Sequence, residues 1–233
     1  MSFFDELQNE TAVDREHLMS APLVRQSISG ETTLDSYAAF LVEAYHHVKH
    51  TVPLLMNVGA RLPEEKEWLR TAVAEYIEEE LGHQDWILND IAACGFDADQ
   101  AKSRGPSLAT ELLVAYAYDV VNRIDPIGFF GMVHVLEGTS IRVADAAADG
   151  IQRGLGLPDS AFTYLRSHGA LDQEHVRFFK KLMNRIEAPD DRARIIHCAR
   201  VFYRLYGDVL RGVTQHARST LGRTRIAEKG YAA

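Results

Sequence analysis

The sequence predicts an all-α protein, and two observations support this prediction. Apolar residues recur at spacings of three and four along the chain, as on a helix with one buried face. Runs of β-branched residues in strict alternation with polar ones, which would indicate strands, do not occur. The chain has 233 residues, 46% of them hydrophobic, so it can bury one sizeable core. We expect a single domain over residues 1–220 and a tail over 221–233 that lacks an apolar stripe.

Capping residues, prolines and glycines divide the chain into helices and breaks. Thr32 or Thr33 can cap a helix from Leu34 to Val48, which Pro53 is expected to kink or end. Residues 96–106 are predicted to form a loop. The next predicted helix begins at Pro63, contains 72–94 and stops at Gly95, and another starts at Ser107. A long helix is predicted from the break at 123–131 to about Gly154. The last two predicted helices begin at 158–160 and after the break at 187–191, and the second of them ends near Ser219.

Charge and cysteine content exclude several classes of protein. The chain has 33 acidic and 25 basic residues, and the basic ones are scattered, which argues against a nucleic-acid surface. Cys94 and Cys198 form no CxxC pair, so we expect a reducing, cytoplasmic setting without a disulfide framework. No run of eighteen apolar residues occurs, so no membrane span is expected.

One predicted helix carries two histidines and an acid on one face. His168, Asp172 and His175 follow one another at spacings of four and three, so their side chains can converge on one point. A metal ion would explain such convergence, whereas a solvated helix face would explain the same spacing without one.

A second candidate group lies in "EEELGHQDW". Glu80 precedes His83 by three residues and Glu79 precedes it by four, so either carboxylate can lie beside the imidazole on a helix. Glu-x-x-His pairs of this kind serve helical carboxylate-bridged di-iron sites. We prefer Glu80 as the ligand and retain Glu79 as the alternative, because acidic runs on helices also face water.

The third candidate group is centred on Glu137 in "FFGMVHVLEGTS". A carboxylate in such apolar company is costly to bury unless it is paired or binds a metal. His134, one turn earlier, can be a ligand or, preferably, a hydrogen-bond partner of a ligand. Together the groups supply three carboxylates and three imidazoles, which suits iron or manganese better than a structural zinc site. Two such metals could bind dioxygen between them.

Further polar residues occur in "EAYHHVKHT" on the first long helix. Because the ligand set is already complete, we interpret four of them as cavity wall, supporting residues or substrate contacts: Glu43, His46, His47 and His50. Lys49 can bind a substrate carboxylate or extend to water. Aromatic residues that suggest a largely apolar pocket are Tyr45, Tyr76, Phe130 and Phe178. Arginines that can select a substrate carboxylate, or serve as ordinary surface residues, are Arg123, Arg142, Arg166 and Arg177.

The ordered set "YHHVKHTVPLL", "EEELGHQDWILND", "VLEGTS" and "HGALDQEHVRFF" resembles one branch of the haem-oxygenase-like fold superfamily. This branch is described as iron-containing redox enzymes, with thiaminase II and pyrroloquinoline-quinone synthase as relatives. The resemblance covers about residues 37–185. It implies a compact bundle of about seven or eight helices around a central pocket. In the di-iron members the metal ligands match His83, Glu137, His168, Asp172 and His175 here, and the first carboxylate is Glu80 or Glu79.

The resemblance implies a dioxygen-dependent non-haem iron oxidoreductase with two ferrous ions per chain and dioxygen as co-substrate. Its small organic substrate would be amino-acid-like or fatty-acid-like, and the reaction N-oxygenation, desaturation or oxidative C–C cleavage. The alternative is a metal-free small-molecule protein of the thiaminase II or quinone-synthase type, although neither cysteine matches the thiaminase nucleophile. A third interpretation is an interaction protein that dimerises through helix faces. A homodimer is compatible with each of these.

Overall fold

The computed structural model describes the backbone of residues 1–216, and the side chains of residues 1–167 and 176–213. Within this part of the chain the protein is all-α and contains no strand, which confirms the predicted fold class. The helices are α1 (Phe3–Glu10), α2 (Ala12–Met19), α3 (Pro22–Ser29), α4 (Leu34–Val48), α5 (Thr51–Arg61), α6 (Glu67–Glu80), α7 (His83–Ala93), α8 (Ala98–Ser103), α9 (Leu108–Asp119), α10 (Phe129–Leu155), α11 (Thr163–Met183) and α12 (Pro189–His216).

The 27-residue helix α10 is the centre of the bundle, and it packs against α3, α11 and α12. Its contact with α3 is close because Gly150 and Gly154 face the backbone of the α3 C-terminus, where a Cβ would collide with carbonyl oxygens. Gly156 ends α10 in the left-handed conformation, near the end that the sequence predicts. No described helix is both long enough and apolar enough to cross a membrane.

The first long helix begins as predicted but ends for a different reason. The Thr33 hydroxyl accepts a hydrogen bond from the Ser36 amide at 3.2 Å, which identifies Thr33 as the N-cap of α4. The break that follows lies at Lys49 and His50 and not at Pro53. Pro53 lies in the first turn of α5, where a backbone N–H needs no helical partner. The expectation that Pro53 ends the helix was therefore wrong.

The second predicted helix is interrupted at Leu81 and Gly82. Gly82 adopts φ 89°, in the left-handed region, so α6 ends at Glu80 and α7 begins at His83. The prediction of one continuous helix through residues 72–94 was wrong here. Another difference is α8, a short helix capped by the Asp97 side chain within the segment predicted as loop.

Two of the helices that carry candidate ligands, α7 and α11, are joined by a buried acid. Asp90 on α7 accepts hydrogen bonds from the Thr163 amide at 3.0 Å and the Tyr164 amide at 2.9 Å, and from the Thr163 hydroxyl. These amides belong to the first turn of α11, so Asp90 caps that helix from a neighbouring one. This contact fixes the start of α11 relative to α7. The prediction placed the start of α11 at 158–160, but Pro158 instead precedes a 3₁₀ turn at Asp159–Ala161.

Candidate metal centre

A narrow, largely apolar cavity of about 140 Å³ lies along α10. The residues of α10 that line it run from Phe129 to Ile151, a distance of about 33 Å at 1.5 Å per residue. Side chains of α3, α4, α5, α6, α11 and α12 complete the wall. The space therefore suits an elongated, mainly apolar molecule. This cavity agrees with the central pocket that the resemblance implies.

Glu80 lines this cavity, and the break between α6 and α7 brings His83 beside Glu80. The Oε2 atom of Glu80 lies 3.0 Å from Nδ1 of His83, and Glu80 lines the cavity. His83 is 2% exposed, so its ring is held in a fixed place. Two donors that bind one metal at about 2.1 Å, at right angles, are about 3 Å apart, so this pair fits a shared metal ion. Their proximity was predicted from an unbroken helix, but the left-handed Gly82 produces it here.

Glu137 lines the same cavity from α10, and its partner on α6 is Tyr76. Burial raises the pKa of Tyr76 well above its usual value, and the charges of Glu137, Glu79 and Glu80 act in the same direction. Tyr76 is 2% exposed. Glu137, whose burial was expected to be costly, therefore lies at the cavity wall beside the buried phenol of Tyr76.

The side chains of His168, Asp172 and His175 lie outside the described residues, so their position relative to Glu80, His83 and Glu137 stays a prediction. The backbone places all three within α11, which packs against both α10 and α7. Among the side chains that are described, no group of three or more His, Cys, Asp or Glu residues is placed to hold a metal ion.

Of the polar candidates between Glu43 and His50, one lines the cavity and the others do not contribute to its wall. His47 lines the cavity and packs edge-on against Tyr206. Glu43 accepts hydrogen bonds from Ser107 and Thr110, so it supports the start of α9. The Nδ1 atom of His46 lies 3.1 Å from Lys49 Nζ, and that of His50 lies 3.2 Å from the Tyr118 hydroxyl.

His134, on α10, points toward Thr11, the residue between α1 and α2. Its Nε2 atom lies 3.3 Å from the Thr11 hydroxyl, and its ring is surrounded by Phe4, Phe179 and Tyr203. Burial lowers its pKa to about 3, with the charges of Arg15 and Arg142 acting in the same direction. This histidine is therefore neutral and serves helix packing. None of these contacts supports the role preferred for His134 from the sequence, which was a hydrogen bond to a metal ligand.

The cavity wall contains acids and hydroxyls but, among its described residues, no lysine or arginine. Arg123 pairs with Asp119, and Arg166 pairs with Asp149 at 3.1 Å. The Thr139 hydroxyl, in contrast, lines the cavity and is buried without a hydrogen-bond partner. It is a hydrogen-bonding group that sequence reasoning missed, since a threonine in the middle of an apolar helix carries no special signal.

Both cysteines lie in the apolar core and not at the cavity wall. Burial raises the pKa of the Cys94 thiol to about 12, with the charge of Asp90 acting in the same direction. Burial also raises the pKa of Cys198. A thiol of this kind is a poor nucleophile, because the thiolate is the reactive form.

Comparison with known proteins agrees with this architecture. A family model described as "Iron-containing redox enzyme" matches residues 38–207. No curated protein sequence matches the chain. A domain of unknown function with a heme oxygenase-like fold from Shewanella denitrificans OS217 is 23% identical. Its TM-score is 0.82, over 100% of this chain and 99% of that one.

Two further solved structures share the fold at lower sequence identity. A TenA homolog from Pseudomonas syringae pv. tomato has a TM-score of 0.75 at 12% identity, over 91% of this chain and 93% of that one. Heme oxygenase-1 from Synechocystis sp. PCC 6803, solved with heme, has a TM-score of 0.74 at 12% identity, over 94% and 95%. At these identities the likeness shows the heme oxygenase-like fold alone.

Proposed function

Because the chain belongs to the family of iron-containing redox enzymes, we propose that it is a non-haem di-iron oxidase or oxygenase. It would use dioxygen to oxidise a small organic substrate, amino-acid-like or fatty-acid-like, by N-oxygenation, desaturation or oxidative C–C cleavage. The observation that supports this most is the 3.0 Å contact of Glu80 with His83 at a cavity that Glu137 also lines. The proposed ligands are Glu80, His83, Glu137, His168, Asp172 and His175.

The charges around the cavity favour a bound cation. Two carboxylates line an otherwise largely apolar space, and the described part of the wall contains no lysine or arginine. Partly buried carboxylates of this kind are stabilised by a metal ion, which would also supply the positive charge that attracts an acidic substrate. An amino-acid-like or fatty-acid-like molecule would thus be directed by its carboxylate toward the metal end and by its apolar part toward the rest of the cavity.

Bound ferrous iron would supply the one-electron chemistry with dioxygen that amino-acid side chains lack. The chain itself positions the reactants. Tyr76 lines the cavity beside Glu137, and the contact with Glu80 fixes the ring of His83. The apolar wall excludes water from the substrate, and Thr139 offers a hydroxyl to a polar group of the substrate.

The alternative is a metal-free small-molecule protein of the thiaminase II or quinone-synthase type, and the fold shared with a TenA homolog favours it. Without a metal, the acidic wall would suit a cationic ligand better than an anionic one. The buried positions of Cys94 and Cys198 count against a cysteine nucleophile in such a protein.

The test is iron binding by the wild type, Glu137→Gln and the control Glu43→Gln. Each protein is reconstituted anaerobically with ferrous iron, its iron content is measured, and dioxygen uptake is then followed. We expect about two irons per chain in the wild type and in Glu43→Gln, because Glu43 caps α9 away from the cavity. Glu137→Gln should lose one or both irons and most of the dioxygen uptake. A wild type without iron, or equal iron content in both variants, would rule out the proposed function.

A further inference from the structure

An indole ring lies directly against the buried histidine of the candidate centre. The ring centroids of Trp86 and His83 are 4.2 Å apart and their planes are inclined by 29°, so the rings are stacked. His83 is 2% exposed, whereas Trp86 is partly exposed to solvent. Trp86 therefore contacts the candidate metal ligand His83 with one ring and is itself accessible from the protein surface. The spacing of three residues on α7 is the signal in the sequence that could have revealed this pair.

The proposed reaction creates a need for electrons at this place. Reduction of dioxygen to two waters takes four electrons, and a two-electron oxidation of the substrate supplies only half of them. When substrate is absent, it supplies no electrons, and the oxidised centre can then oxidise the residues that bind it. An indole loses an electron much more readily than a phenyl ring, so a tryptophan in contact with a ligand can act as the donor.

We propose that Trp86 is a one-electron donor to the oxidised metal centre, an inference that rests on the proposed function. In this step the indole loses one electron and becomes a radical cation, and the centre gains that electron through the stacked imidazole of His83. A small external reductant of the ascorbate class then returns one electron to Trp86 and is itself oxidised by one electron. The partial exposure of Trp86 makes this second transfer accessible from solvent.

Tyr76 is the competing donor, because its phenol lies near Glu137 at the cavity wall. Tyr76 is 2% exposed, so an external reductant reaches it less easily than Trp86. The chain also contains a matched control. Its only other tryptophan, Trp68, is partly exposed as well but stacks under the Arg185 guanidinium, which lies 4.1 Å above its ring. Trp68→Phe and Trp86→Phe each leave one tryptophan and keep an aromatic ring at the changed position.

Tryptophan fluorescence during anaerobic titration with ferrous iron tests the contact, independently of activity. In Trp68→Phe all emission comes from Trp86, and we expect iron to quench it in proportion to the iron bound. In Trp86→Phe the emission comes from Trp68 and should stay nearly constant while the same amount of iron binds. Equal quenching in the two variants would overturn the assignment of Trp86 to the metal centre.

The electron transfer is tested by mixing the ferrous proteins with dioxygen without substrate, followed by freeze-quenching and electron paramagnetic resonance. We expect a tryptophan radical in the wild type, Trp68→Phe and Tyr76→Phe, its loss in Trp86→Phe, and its faster decay when ascorbate is added. Iron binding and dioxygen uptake without a radical, or with a radical that persists in Trp86→Phe or is lost in Tyr76→Phe, would overturn this inference and leave the proposed function standing. A wild type that binds no iron would overturn both.

Discussion

Two sets of residues with the same chemistry share α7, the glycines that flank it, and α10. The cavity set consists of Glu137, which lines the cavity, and of His83 and Gly82, which adjoin the lining residue Glu80. The packing set consists of Gly95, His134 and Asp90. Each set contains a left-handed glycine, a buried histidine and an acid among apolar residues. The sets differ in what their members contact. The acid and the histidine of the packing set bond to backbone amides and hydroxyls, whereas those of the cavity set are associated with other ionisable groups.

This difference separates residues that hold helices together from residues available for chemistry. Asp90 uses both carboxylate oxygens on the first turn of α11. Glu137 lies at a cavity wall beside a phenol. Buried polar groups are normally satisfied by hydrogen bonds, so an acid bonded mainly to backbone has a structural role. Three pairs of substitutions test this comparison.

The largest effect is expected at the two acids. Asp90→Ala removes the acceptor of two amides and one hydroxyl at the start of α11. Because hydrogen bonds to a charged group contribute about 1.5–3 kcal/mol, the free energy of unfolding should fall by about 3 kcal/mol or more. Glu137→Gln should change it by less than about 1 kcal/mol, since the amide keeps the shape of the side chain and Glu137 lies at a cavity wall. Urea denaturation measures both values, and similar losses in the two variants would contradict the comparison.

The sequence predicts the helical class and several helix starts because these depend on nearby residues. Thr33 and Ser107 are caps in the structure, and their hydroxyls accept from amides three residues ahead. The short polar helix α8 was missed because six residues carry too little apolar pattern to identify a helix.

The sequence could not distinguish the roles of His134 and Glu137, which lie one turn apart on α10. Apolar residues surround both positions in the chain, so periodicity alone does not show which face meets α2 and which meets the cavity. The break at Gly82 was missed for a related reason. A glycine inside an apolar pattern is tolerated in helices, and only the packing of α7 against α4 and α11 selects the left-handed conformation.

The next largest effect concerns pH and His134. Its folded-state pKa of about 3 is below the usual value of about 6.5, so protonation favours the unfolded chain. This contribution to stability is fully present above about pH 6.5 and is lost as the pH falls toward the folded-state pKa. Between about pH 7 and pH 5 it amounts to about 2 kcal/mol.

His134→Gln should therefore show a weaker loss of stability over that interval than the wild type, as measured by urea denaturation at several pH values. His197→Gln, on the exposed surface of α12, is the control and should keep the wild-type dependence. If His134→Gln and the wild type lose stability in parallel, another group must be responsible for the acid sensitivity.

The smallest effect on stability, but the sharpest one on iron binding, is expected at the glycines. Gly82 and Gly95 have φ of 89° and 84°, and a Cβ added to either one meets no atom within 4 Å. Gly82→Ala and Gly95→Ala should each cost about 1 kcal/mol through backbone strain alone. Only Gly82→Ala should weaken ferrous iron binding, by about tenfold or more, because Gly82 sets the approach of His83 to Glu80.

An unbroken helix would also place Glu80 near His83, so equal iron binding by the two glycine variants would show that the break is dispensable for the site. The geometry argues for the opposite result. The break allows α6 to keep Glu80 at the cavity while α7 takes the direction in which Asp90 reaches the start of α11. Because α11 carries His168, Asp172 and His175, the conformation of one glycine determines the relative placement of both proposed ligand groups. Anaerobic titration with ferrous iron measures that coupling directly.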